Sequence, residues 1–270
     1  MDLLLEKGTM NSENIKICSA LFQVSSSFKK WDTTDTAKKF LLLENLISYI
    51  SSDTDILLLP AGFINTKNNI AKPAFKMAEK IVKKLIKKHN PKLHVCLGID
   101  GLNKKEQFAL SINQSGITAI ARKFYHMDTS VKLAITPFDK ENNKERFFEI
   151  NTKKAYLAVC YDAFGISRLK LDNPNCDFIL NVVHGFDNSG GDSDFARKGL
   201  AGAAKKWGLN VYASAVFANS RNPANWTAGV RWTHGNNSVK DYKYDDIRIH
   251  PKVDTFMTAY TTIYLRYYNE

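Results

Sequence analysis

Apolar and polar positions along this chain fall into alternating blocks of two kinds, extended runs and helical stripes. Ile15 to Val24 is apolar and reads as a strand, and Thr36 to Ile50 carries Phe40, Leu43, Ile47 and Ile50 along one helical face. Asp55 to Pro60, DILLLP, is a short continuous apolar run of the kind found in parallel strands buried on both faces. In Lys72 to Lys88, Phe75, Ala78, Ile81, Val82, Leu85 and Ile86 mark one face, while Lys76, Lys80, Lys83, Lys84 and Lys87 fall largely on the other. This predicts a surface helix, stopped at Asn90-Pro91. Leu93 to Ile99 is again a strand.

The middle of the chain changes character. Gln107 to Asn113 and Ile117 to Lys123 flank Gln114-Ser115-Gly116, a hairpin signal. The polar segment Asp139 to Arg146 separates this hairpin from Tyr156 to Cys160, and Asp177 to Val183 is another buried-type strand. Phe195 to Trp207 predicts a helix rich in Ala and Gly, Asn210 to Ala215 a strand, and Thr227 to Trp232 and Thr261 to Tyr267 two later strands. Asn188 to Asp192 reads as a mobile loop, too short to be an interdomain linker. With no linker and no repeat, the expected organisation is an N-terminal tail, 1–14, and one domain, 15–270. Alternating helices and buried strands with inserted hairpins imply an α/β fold, a mixed sheet covered by helices.

Composition narrows the classes. Apolar residues make up 44% and charged residues 24%, ordinary globular usage that excludes wholesale disorder. The formal net charge of +11 invites a nucleic-acid reading, but the positive charge is mostly lysine spread along the chain. Its densest stretch is the solvated face of the Lys72 to Lys88 helix, so a nucleic-acid partner is not expected. No run approaches the roughly 20 apolar residues of a membrane helix. The first residues lack a positive start and a long apolar core, so no secretory signal is read and the cytoplasm is the expected compartment. Cys18, Cys96, Cys160 and Cys176 show no paired or ligand spacing, and no phosphate loop or metal motif appears.

Candidate chemistry gathers where strands end, since sites in open α/β sheets lie at the carboxyl ends of strands. Four segments qualify: Leu59 to Phe63, Ala121 to His126, Ala158 to Asp162, and Val183 to Gly185. A thiol at the abrupt end of a buried strand, such as Cys160, becomes a nucleophile when a nearby cation favours its thiolate. Lys123 is a candidate for that cation and for stabilising an oxyanion. On position alone, a core cysteine and a surface lysine are the simpler reading. His184 either lines a pocket beside Cys160 or is a hydrogen-bonded structural histidine. Asp162 reads as a cap for the following turn, and Trp226 and Trp232 as core packing.

The ordered set LLLPAGF, ARKFYH and AYLAVCYD resembles the three signature segments of the nitrilase (carbon–nitrogen hydrolase) superfamily, along nearly the whole chain from about Ile15. The Cys-Tyr-Asp segment is its most specific element. The resemblance implies a four-layer α-β-β-α sandwich with mixed sheets, commonly paired into a homodimer or larger homo-oligomer. It also implies a Glu-Lys-Cys triad in which the cysteine attacks a carbonyl or nitrile carbon, the glutamate shuttles protons and the lysine stabilises the tetrahedral intermediate. Cys160 takes the nucleophile's place, Lys123 the lysine's, and the Tyr161 backbone N–H serves the oxyanion. Tyr161, His184, Phe63 and His126 are the candidate substrate-binding residues.

The chain departs from the family at Pro60-Ala61, where the family has Pro-Glu. Alanine cannot accept a proton, and a general base is typically worth about 10²–10⁴-fold in rate. Three readings of Ala61 stand open: a pseudoenzyme keeping the pocket for binding, a base supplied by another carboxylate, or an introduced substitution. Asp100 is the nearest alternative carboxylate by topology, with Glu145 and Glu149 lying before the Cys160 strand. The expected function is hydrolysis of a non-peptide carbon–nitrogen bond in a small molecule, amide before nitrile, through a thioester and with neither cofactor nor metal. The alternative is a catalytically silent binding or regulatory protein. Ala61→Glu is expected to restore a base.

Overall fold

A computed structural model describes residues 14–24, 31, 36–67, 71–126, 129–186, 191–219, 221–249 and 262–270. The chain begins with β1 (Lys16–Gln23), α1 (Thr36–Tyr49), β2 (Ile56–Leu58), β3 (Ile64–Asn65), α2 (Pro73–His89), β4 (His94–Asp100), β5 (Gln107–Asn113) and β6 (Gly116–Arg122). It continues through β7 (Phe147–Ile150), β8 (Lys153–Val159), α3 (Asp162–Arg168), β9 (Phe178–Phe186), α4 (Gly191–Asp194), a π-helical turn (Phe195–Leu200), α5 (Ala201–Trp207) and β10 (Asn210–Phe217). Four antiparallel strands complete it: β11 (Gly229–Thr233), β12 (Ser238–Asp241), β13 (Asp245–Ile249) and β14 (Thr262–Asn269).

The strands hydrogen-bond in the order β6-β5-β4-β2-β1-β10-β9-β8-β7. The path turns a corner at β1, which pairs along its length with β14 and reaches β10 only through Phe22 and Gln23. The result is two facing halves, parallel in their centres and antiparallel at their edges. The ring of His94 on β4 stacks on Phe148 of β7 across the gap, with centroids 5.0 Å apart.

Strand periodicity builds the layers. On β1, Cys18, Ala20 and Phe22 join the core under α1 and α2, whereas Ile17 and Leu21 face the other half. The inward faces of β5 and β6 carry Ala109, Ala119 and Ala121, small residues that let the halves approach closely. Helices α3 to α5 cover the second half, so the fold is the four-layer α-β-β-α sandwich with mixed strands. In α2, Phe75, Ala78, Val82, Leu85 and Ile86 are buried as their spacing predicts, and Lys87, Lys88 and His89 sit in the last turn, at the negative end of the helix dipole.

The structure adds β3, α3, β12 and β13, which the sequence pattern does not predict, and differs from the sequence reading elsewhere as well. The strand β7 follows directly on the polar segment, where the sequence pattern predicts none. The helix expected over Phe195 to Trp207 is π-helical in its first half, where Gly199 lies against the Phe164 ring. Of the expected loop Asn188 to Asp192, Asn188 to Gly190 lie outside the described residues, and Gly191 and Asp192 begin α4. The expected N-terminal tail falls outside them as well, up to residue 13.

Candidate active site

Cys160 directly follows β8 with φ +51°, in the left-handed region that β-type continuation cannot use. Two hydrogen bonds hold it there. Its N–H donates to Val182 O (2.7 Å), and its carbonyl accepts from the buried Asn181 amide (3.1 Å). The chain turns sharply into α3, which leaves the thiol at the carboxyl end of the sheet.

Asp162, the next residue but one, does more than the turn cap its sequence position suggests. Its fully buried carboxylate ties three segments together. Oδ1 accepts from the N–H groups of Phe124 (2.8 Å) and Tyr125 (3.1 Å), and Oδ2 accepts from Val159 N–H (3.0 Å) and Arg146 Nη1 (3.2 Å). Since Phe124 and Tyr125 follow Lys123 and Val159 precedes Cys160, this carboxylate ties the lysine's segment to the cysteine's. Lys123 is 1% exposed; its Nζ donates to Gln107 Oε1 (2.8 Å) and lies 5.3 Å from the centre of the Tyr161 ring.

A buried thiol is normally pushed up, and Cys18, Cys96 and Cys176 follow that rule, at about 12, about 12 and about 11. Burial acts on Cys160 too, but the Lys123 charge and hydrogen bonds from the His184 side chain and backbone outweigh it, and its pKa falls to about 7. His184 is the counterpart. Burial alone would lower its pKa; the charge and hydrogen bond of Asp100, with Cys160 adding to them, raise it to about 9. His184 Nε2 lies 2.8 Å from Asp100 Oδ2.

A β-bulge brings His184 to this position. In the pairing of β9 with β10, Val182 and Gly185 stand opposite Ser214 and Val216, so β9 carries one extra residue over this stretch. Such a bulge re-aims a side chain. Asp100 arrives from the other half, as the last residue of β4.

The remaining candidates are placed as follows. Ala61 is 1% exposed, and its N–H donates to Val183 O (3.1 Å), one residue before His184. Gly98 of β4 packs flush against its backbone, where a side chain would collide. Gly62 has φ +61°, and a Cβ there would stand 2.9 Å from Asp100 Oδ2. His126 contacts Tyr161 edge to face at 5.3 Å. Phe63 is corrected: its ring packs 6.1 Å from Phe22 and 6.2 Å from Trp31, in the core layer under α1 and α2. The turn at Gly62 sends residues 61 and 63 into different layers. Glu145 pairs with Lys140 (2.6 Å) and Glu149 is exposed on β7, so neither joins the cysteine. Gln107 and Asn181 join the site without any mark in the sequence, since each acts through a partner on another strand. Among the described residues no group of three or more His, Cys, Asp or Glu side chains is placed to hold a metal ion, and no helix is long and apolar enough to cross a membrane.

No protein-family model matches the chain, and no curated protein is detectably similar in sequence. Solved structures do resemble it. An amidase from Nesterenkonia sp. aligns over 78% of this chain and 80% of its own, with a TM-score of 0.55 and 14% identity. A mutant of the amidase from Nesterenkonia sp. AN1, bearing the acetamide moiety of fluoroacetamide covalently on its active-site cysteine, covers 96% of this chain and 91% of its own, with a TM-score of 0.58 and 11% identity. A cysteine-to-alanine mutant of the AN1 amidase, from the nitrilase superfamily, gives 0.51 at 14% identity over 75% of this chain and 76% of its own. The shared property is the fold.

Proposed function

We propose that this chain is a cysteine-dependent hydrolase of the nitrilase superfamily type, acting on the carbon–nitrogen bond of a small amide. The observation that carries the reading is Cys160, the one described thiol whose surroundings favour the thiolate, at a strand end beside a buried lysine. The other three cysteines are held in the thiol form by burial. The fold neighbours support the amide over the nitrile, since those solved structures are amidases, one of them in complex with butyramide.

In this reading the Cys160 thiolate attacks the amide carbonyl carbon. The displaced electron pair moves to the carbonyl oxygen, where Lys123 and the Tyr161 N–H stabilise it. Breaking the C–N bond leaves a thioester on Cys160, which water then cleaves. Both halves of the reaction move a proton, and Ala61 offers no group for it.

Fluoroacetamide tests the proposal, because a thiolate displaces its fluoride and keeps the acetamide moiety. Intact-mass analysis with peptide mapping is expected to find one adduct, on Cys160, absent from Cys160→Ala. An unmodified Cys160 in folded protein would overturn the reading.

A further inference from the structure

We propose that His184, oriented by Asp100, is the catalytic residue that moves protons in this site, replacing the glutamate that Ala61 lacks; the inference rests on the Cys160 hydrolase reading.

The geometry points there from three sides. The imidazole belongs beside the reacting atom: the Cys160 N–H donates to Val182 O (2.7 Å), two residues before His184, and a hydrogen bond from the His184 side chain is among the causes that lower the Cys160 pKa. Its Nε2 is engaged by Asp100 Oδ2 at 2.8 Å, which leaves Nδ1 to exchange a proton with the sulfur side. Asp100 is fully buried, its Oδ1 has no partner among the described residues, and its one side-chain hydrogen bond there goes to His184. A carboxylate desolvated in this way fixes the ring's tautomer and stabilises the imidazolium, as in nucleophile–histidine–carboxylate sites on unrelated folds.

The local backbone is shaped for this contact. The bulge adds a residue to β9 at His184, and Gly62 leaves open the space that a Cβ would take from the Asp100 carboxylate. Ala61, bonded to Val183 O, stands next to the histidine. The base is thus supplied from β9 and β4, beside the turn where the family's glutamate belongs.

The proton balance closes without an added reagent. Thiolate and imidazolium form the resting pair. Sulfur bonds to the carbonyl carbon; as the C–N bond breaks, the His184 proton passes to nitrogen and the amine or ammonia leaves. Neutral His184 then takes a proton from water while the water oxygen attacks the thioester. The C–S bond breaks, the acid departs, and the thiolate and imidazolium are restored.

Alkylation of Cys160 by iodoacetamide, followed against pH by mass spectrometry, separates this inference from the reading beneath it. The titratable groups facing the sulfur are Lys123 from the end of β6, His184 from β9 and Tyr161 from the adjoining turn; Asp100 faces His184. The wild type is expected to reach its half-maximal rate near the Cys160 value of about 7. In His184→Asn, with Lys123 retained, the midpoint is expected to rise by about one pH unit or more, slowing alkylation at pH 6.5 by about tenfold. Asp100→Asn is expected to shift it in the same direction. An unchanged midpoint in both variants would overturn the role of His184 and leave the Cys160–Lys123 reading intact. No alkylation in the wild type would overturn the hydrolase reading itself. Should the variants fail to fold, an NMR titration of the wild-type His184 imidazole decides: a protonated ring at pH 7 that loses its proton more readily after Cys160 is alkylated is expected, and a neutral ring at pH 7 would overturn the inference.

Discussion

His184 Nε2 and Asp100 Oδ2 meet at 2.8 Å across the gap between the two halves of the sandwich, one from a bulged strand end and the other from the last residue of β4. Burying such a pair costs desolvation that its attraction does not always offset, so its presence speaks for orientation more than for stability. Asp100 raises the His184 pKa to about 9, and the His184 hydrogen bond acts with the Lys123 charge to lower that of Cys160.

Activity should follow a bell in pH. Only the thiolate attacks, so the rate rises as Cys160 ionises through about 7; only the imidazolium can protonate the leaving nitrogen, so the rate falls as His184 deprotonates through about 9. The two limbs belong to the coupled pair. Profiles of kcat/KM are expected to lose the alkaline limb in His184→Asn; a limb unchanged in that variant would assign it elsewhere.

Ala61→Glu, which the sequence alone marks as a rescue, is expected to bring no gain. The position is buried beside Gly98 and Val183, so a larger side chain there overpacks the turn, typically at about 1–3 kcal/mol. Paired measurements of Tm and kcat/KM check this, and a rise of about 10²-fold would show that the base was absent.

Asp162→Ala should cost about 3–5 kcal/mol, because it strands the buried Arg146 guanidinium and frees three backbone N–H groups. Denaturant unfolding measures the loss. A change below about 1 kcal/mol would mean that the carboxylate does not hold the Lys123 segment to the Cys160 segment.

The left-handed backbone at position 160 makes a separate prediction. Cys160→Gly should be more stable than Cys160→Ala by about 1 kcal/mol, since alanine is strained at φ +51° and glycine is not. The reverse order in thermal unfolding would place Cys160 in ordinary backbone geometry.

Much of this architecture is written in local pattern. The alternation through Cys18, Ala20 and Phe22 against Ile17 and Leu21 is the two-layer burial of β1, and the Lys72 to Lys88 stripe is the exposed helix α2. Cys160 and Lys123 are legible because each ends its own strand. The Asp100–His184 contact is legible only as two separate candidates, since it joins residues 84 positions apart and depends on a one-residue bulge. Phe63 misleads for a related reason: it neighbours Ala61 in sequence, but the turn at Gly62 sends its ring to the opposite layer. Gln107 and Asn181 carry no signal of their own, because what they do is fixed by the strands they pair with.

The most direct measurement is ammonia release from small aliphatic amides such as acetamide and butyramide, by the wild type, Cys160→Ala and His184→Asn in parallel. Turnover by the wild type is expected, with a loss on the order of 10⁴-fold or more in Cys160→Ala and a comparable loss in His184→Asn, as for groups that act as one unit. Release that persists in folded Cys160→Ala would contradict the account.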